Sequence, residues 1–170
     1  EELKGGTLAG KLTNKGTFVD VKLSENTEIE GGRLQGNITG AANGYAQLDN
    51  LEIVDNSQLS NVSLGNNVTF GKGLTFKDVR FMGASLSNAK LEGTIRTASS
   101  ATTIKDVVLG TKTKLIGGKL AGTIKGDNTD RALLQHLKIE PNSQLSEVII
   151  SDGVDIEAGV NLGTGVQFTT

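Results

Sequence analysis

Residues 62–91 read VSL GNN VTF GKG LTF KD VRF MG ASL SN AKL: short apolar-x-apolar triplets joined by two or three small or polar residues. Successive side chains of an extended chain alternate, so the outer members of each triplet share one side and the middle member faces away. The middle residues Ser63, Thr69, Thr75, Arg80, Ser85 and Lys90 are all polar, as an outward position requires. The triplets advance by five or six residues and have a period of two inside, which excludes a helix. Successive hairpins would need suitable turn residues at every joint. Lys77-Asp78, Met82-Gly83 and Ser87-Asn88 do not all supply them. A chain that turns a corner of constant hand after each triplet needs only modest turns, and the path it traces is a β-helix.

The same rhythm sits inside a longer repeat. Residues 27–40 (TEIEGGRLQGNITG) and 113–126 (TKLIGGKLAGTIKG) share Thr27, Gly31, Gly32, Leu34, Gly36, Ile38 and Gly40 at an offset of 86. The pentad NSQLS is identical at 56–60 and 142–146. Upstream the offset is 83, matching Leu3, Leu8, Gly10 and Leu12 with Leu86, Leu91, Gly93 and Ile95, so three residues are inserted within 96–103. A single insertion further on brings Val79 and Phe81 onto Val166 and Phe168. Both insertions fall between apolar pairs, where turns are expected. The chain therefore divides into two tandem copies, 1–84 and 85–170, of one continuous solenoid. The copies meet head to tail without atypical capping sequences, and the chain is expected to be part of a longer array.

Within this rhythm, VRF-MG-ASL-SN-AKL-EG resembles a pentapeptide repeat, with Val79, Phe81, Ala84, Leu86, Ala89 and Leu91 inward. That family consists of right-handed, four-sided β-helices. The six-residue steps VSLGNN and VTFGKG are more similar to hexapeptide β-helices. The whole chain looks like the solenoid arrays of large bacterial surface proteins. The expected fold is thus all-β, a single-stranded parallel β-helix of right hand. The spacing leaves the number of sides open: Val62 to Val79 suits three, whereas Val62 to Ala84 and Phe70 to Leu91 suit four. Coils of roughly 17–25 residues give roughly 7–10 coils and a rod of roughly 35–50 Å.

Composition agrees with a narrow aliphatic core. Apolar residues are 36% and aromatics 4%, while glycine occurs 23 times and proline once. Gly31-Gly32 and Gly117-Gly118 are read as structural corners that need positive φ or close packing. Strict apolar spacing argues against disorder. The net charge of -2 is scattered and mixed in sign, which argues against nucleic acid as a partner. No cysteine is present, so disulfides and thiolate metal sites are excluded. No apolar run is long enough for a membrane span.

The sequence offers little chemistry. His136 is the only histidine, and its repeat equivalent is Asn50, which suggests an outward or loop site rather than a triad member. Glu28 with Glu30, and Asp152 with Asp155, are carboxylate pairs, but Lys114 and Ile116 replace the first pair in the second copy. A β-helix enzyme acting on polysaccharides ranks third among the readings. No catalytic, cofactor or metal residue is assigned, and the nonapeptide calcium signature is absent. Sequons begin at Asn37, Asn61 and Asn67, as chance provides in an Asn- and Thr-rich chain. Thr69 and Thr75 suggest an ice-binding row, which Ser63, Arg80 and Lys90 interrupt.

The leading expectation is a non-enzymatic structural module of an exported or cell-surface bacterial protein: stalk, sheath or filament. Its partner would be itself, stacked head to tail, or further repeats of the same chain, since open solenoid ends leave backbone groups unpaired. The second expectation is an adhesin-like module that binds a glycan or surface protein. Its candidate loops are 41–50 (AANGYAQLDN) and 127–136 (DNTDRALLQH), with Asn43, Tyr45, Asp130 and Arg131 as contact residues.

Overall fold

The computed structural model describes residues 1–98 and 100–169. They form 28 short strands and no helix. The strands pair in parallel and wind into a β-solenoid. The path has three sides. Face A begins with Glu2–Lys4, face B with Thr7–Leu8 and face C with Lys11–Thr13. The second turn repeats the order with Thr17–Val19, Lys22–Leu23 and Glu28–Glu30. Face C is one unbroken sheet of ten strands, one per turn, ending at Gln167–Phe168. Ten turns at the usual strand spacing make a rod of about 43 Å.

Inward side chains stack in columns, which is why the apolar spacing recurs. On face C, Leu12, Ile29, Leu48, Leu64 and Phe81 lie above one another, 17, 19, 16 and 17 residues apart. On face B, Ile38, Leu59, Phe76, Leu91 and Leu109 do the same. Turn 5 contributes a phenylalanine from each face: Phe70 from A, Phe76 from B and Phe81 from C. Their ring centroids lie 5.6 to 6.4 Å apart, within the range of favourable aromatic packing. Three rings thus fill the triangular core at mid-rod.

The stretch resembling a pentapeptide repeat closes after three sides rather than the four that resemblance implied. Val79 and Phe81 lie on face C, Ala84 and Leu86 lead along face A, and Ala89 and Leu91 along face B. Ile95 is then back on face C. All six inward positions are buried. The Thr row also dissolves: Thr69 is on face A and Thr75 on face B, so the two never stack.

The faces are not equally continuous. The first sheet on face A ends at Thr69–Phe70, which has no pairing to Leu86–Ser87 in the next turn. This break falls at the end of the first sequence copy. Beyond it, Thr103–Leu109 and Lys119–Lys125 run around the A–B corner as single strands, with a register shift between Lys105 and Val107.

Corners carry the polar chemistry. Of thirteen non-glycine residues with positive φ, ten are Asn or Asp, whose short side chains tolerate this conformation. Asn61 and Asn67, read as sequons, are such corners. Gly31, Gly32, Gly117 and Gly118, at the C–A corner, have φ of 88°, 70°, 87° and 73°. A second device links successive turns. Asp20, Asp49, Asp55, Asp78 and Asp106 each accept a backbone N–H one turn on, from Asn37, Asn66, Lys72, Thr94 and Thr123, at 2.7–2.9 Å. The residue before each donor is glycine, and each carboxylate occupies the space a Cβ there would need.

Candidate functional site at the two ends of the solenoid

The core columns that are sealed along the rod are open in its first and last turns. In turn 10 the inward residues of faces A, B and C are Ile156, Leu162 and Phe168, exposed by 40%, 41% and 64%. Their column neighbours in turn 9, Ile139, Leu145 and Ile150, are buried. In turn 1, Leu3 is 44% exposed, and Leu8 and Leu12 are only partly buried. A recess of about 620 Å³ lies at this end against Leu3 and Phe18. Strands of turn 1 pair only with turn 2, and those of turn 10 only with turn 9. Among the described residues, the first and last turns are therefore each covered on one side only.

The candidate loops are narrower than their spacing suggested. Within 41–50, Ala46–Asp49 is a strand of face C with Ala46 and Leu48 buried. Within 127–136, Ala132–Gln135 is likewise a strand with Ala132 and Leu134 buried. Only 40–45 and 126–131 leave the coil, at the B–C corner of turns 3 and 8. Asn43 is exposed at the first tip, closed by an Ala41–Gly44 bridge. In the second tip the Asp127 carboxylate accepts from the Thr129 hydroxyl and from the N–H groups of Thr129 and Asp130.

Two of the four proposed contact residues are committed to the rod itself. Arg80 of turn 5 lays its guanidinium 4.4 Å from the centroid of the Tyr45 ring. Ser63 lies between their strands and is buried although it points outward. Arg131 occupies the position equivalent to Tyr45, 86 residues on. It donates from Nε to the Gly165 carbonyl at 2.7 Å and pairs with Glu147 at 3.1 Å. One corner position thus braces turn 3 to turn 5 in the first copy and turn 8 to turn 10 in the second, by different chemistry.

The other candidates are dispersed. His136 sits at the C–A corner with φ of 50°, matching 52° at Asn50. Glu28 pairs with Lys11 at 3.4 Å, and Glu30 accepts from Asn50 at 3.2 Å. Asp152 accepts the His136 N–H through its carbonyl, while Asp155 neighbours Lys138. Lys138 is held above its usual pKa by the hydrogen bond from its ammonium to Glu157. Among the described residues no three acidic or histidine side chains converge as a metal would require.

The fold is a three-sided parallel β-solenoid of ten turns. No protein-family model matches the chain, and no curated protein or solved structure matches it significantly.

Proposed function

We propose that the chain is a structural repeat module of an exported, cell-surface bacterial protein, a segment of stalk, sheath or filament. Its partner is its own kind, stacked end to end. The observation that supports this reading is the regular parallel stacking: face C runs as one sheet of ten strands, one per turn, a frame that further turns of the same kind can extend. The strand edges of such a frame pair readily with further strands. Joining one end to the other is a heterologous contact that does not close on itself, so it extends into a fibre. No catalytic step, cofactor or nucleic acid enters this reading.

Electron microscopy of the purified chain across a concentration series tests it. Fibres one solenoid wide that lengthen with concentration are expected. Separate rods of about 43 Å at every concentration would overturn it.

A further inference from the structure

We propose that face C of turns 6–9 binds an acidic polysaccharide, laid along the rod over an apolar stripe bordered by cations. The surface lies inside the rod and stands apart from end-to-end assembly.

The two sequence copies build the same frame but dress face C differently. In turns 2 to 4 its outward residues include Glu28, Glu30, Gln47, Asp49 and Ser63. Their equivalents 86 residues on are Lys114, Ile116, Leu133, Gln135 and Ile149. Three carboxylates are thus exchanged for a cation, an aliphatic group and an amide. Ile116, Leu133 and Ile149 are partly exposed, whereas the inward residues Leu115, Leu134 and Ile150 next to them in sequence are buried. Lys114, Leu133 and Ile149 are successive ladder partners. Core packing does not call for these aliphatic side chains, because polar residues hold the same places in the first copy.

Cations border the stripe. Arg80 and Arg96 are direct ladder partners, and Arg96 pairs in turn with Ile116. Like charges directly opposite one another on a sheet are unfavourable. Arg80 is drawn to the Tyr45 ring. Arg96 and Lys114 have no ion-pair partner among the described residues. Glu147, at the neighbouring corner, is already paired with Arg131. Turns 5, 6 and 7 thus carry one cation each, about 4.8 Å apart along the rod. An anion lying on this face relieves their repulsion.

Size, backbone and composition choose the occupant. Four short strands at that spacing cover on the order of 200 Å². A stable protein interface needs roughly 800 Å² per partner, so the stripe is too small for a second copy. A peptide strand gains affinity by pairing with a free sheet edge, and the face C ladder runs unbroken through these turns. Single-stranded nucleic acid stacks its bases on aromatic rings, and the outward residues of this stretch, from Thr94 to Ser151, include none. A chain of uronic acids supplies both parts that the surface lacks. Its C–H faces cover aliphatic side chains, and its carboxylates accept from guanidinium and ammonium groups.

Titration of the chain with oligogalacturonate and with oligomannuronate, followed by amide NMR, tests the proposal. Shifts centred on Ile116, Leu133 and Ile149 that weaken with added salt are expected for at least one of the two. Arg96→Gln and Lys114→Gln are each expected to weaken binding about tenfold, the loss of one charge-assisted hydrogen bond. The triple change Ile116→Glu, Leu133→Gln and Ile149→Ser installs the residues of the first copy, which the frame accommodates, and is expected to abolish binding. Lys22→Gln, at an exposed lysine of face B, is expected to leave it unchanged. Methyl-esterified oligogalacturonate keeps the sugars without the charge and is expected not to bind. Failure of both acidic oligosaccharides to bind overturns the proposal. So does equal binding of the esterified form, binding indifferent to Arg96→Gln and Lys114→Gln, or a single-stranded oligonucleotide that binds as tightly.

Discussion

Asp49 places its carboxylate where Gly65, one turn further on, has no side chain, and there accepts the Asn66 N–H at 2.9 Å. Gly65 does not have a positive φ, so the carboxylate, rather than backbone strain, excludes a larger residue. Gly65→Ala is therefore expected to destabilise the rod by about 1–3 kcal/mol through overpacking. In the Asp49→Ala background the same change is expected to cost far less. A double-mutant cycle by urea unfolding checks this. Additive effects of the two changes would show that carboxylate and glycine are independent.

The device explains what could and could not be read from the sequence. Inward columns were legible because Leu, Ile and Val alternate with polar residues, and each residue from Val79 to Leu91 read as inward is buried. The number of sides was not legible. Apolar residues recur at both the 17-residue and the 21–22-residue steps, and only the corner conformations decide which pair stacks. The Asp-to-Gly spacing of 15 or 16 residues, as in Asp78 and Gly93 or Asp20 and Gly36, is the signal that would have fixed the three-sided turn. The strands inside 41–50 and 127–136 are hard to read because Ala46-x-Leu48 and Ala132-x-Leu134 are inward triplets with alanine as the small member. Tyr45 and Arg131 are large residues at equivalent positions of the two tips, but nothing in their local sequence names Arg80 or Glu147 as partners.

The two braces differ in chemistry and so in worth. Tyr45→Ala removes a half-exposed cation–π contact and is expected to cost about 0.5–1 kcal/mol. Arg131→Ala leaves the Glu147 carboxylate without its cation and the Gly165 carbonyl without its donor, at about 1–3 kcal/mol. Urea unfolding of both variants tests the order. The reverse order would mean that the Arg131 contacts are not maintained in solution.

Leu34 and Leu120 are repeat equivalents on face A, both fully buried. Leu34 packs between Phe18 and Ile53, and Leu120 between Ile104 and Ile139. Replacement by Ala removes about 2–5 kcal/mol. Replacement by Asp adds an unpaired buried charge and is expected to cost more. Urea midpoints should fall in the order wild type, Ala, Asp at both positions. An Asp variant as stable as its Ala counterpart would show that the site admits water.

Asp127 gives the rod a local response to acid. The Thr129 hydroxyl, then the N–H groups of Thr129 and Asp130, favour its charged form and hold it below the ordinary value of 3.8. The folded value lies below the unfolded one, so its contribution is complete above pH 3.8 and is lost as pH falls through the folded value. The carboxylate is solvent-exposed, so the consequence is confined to the tip formed by residues 126–131 rather than the core. Amide shifts of Thr129 and Asp130 followed by NMR are expected to inflect together below pH 3.8. Asp127→Asn should abolish the shared inflection while leaving the urea midpoint near that of the wild type. An inflection at or above the ordinary value would mean that the three hydrogen bonds do not persist in solution.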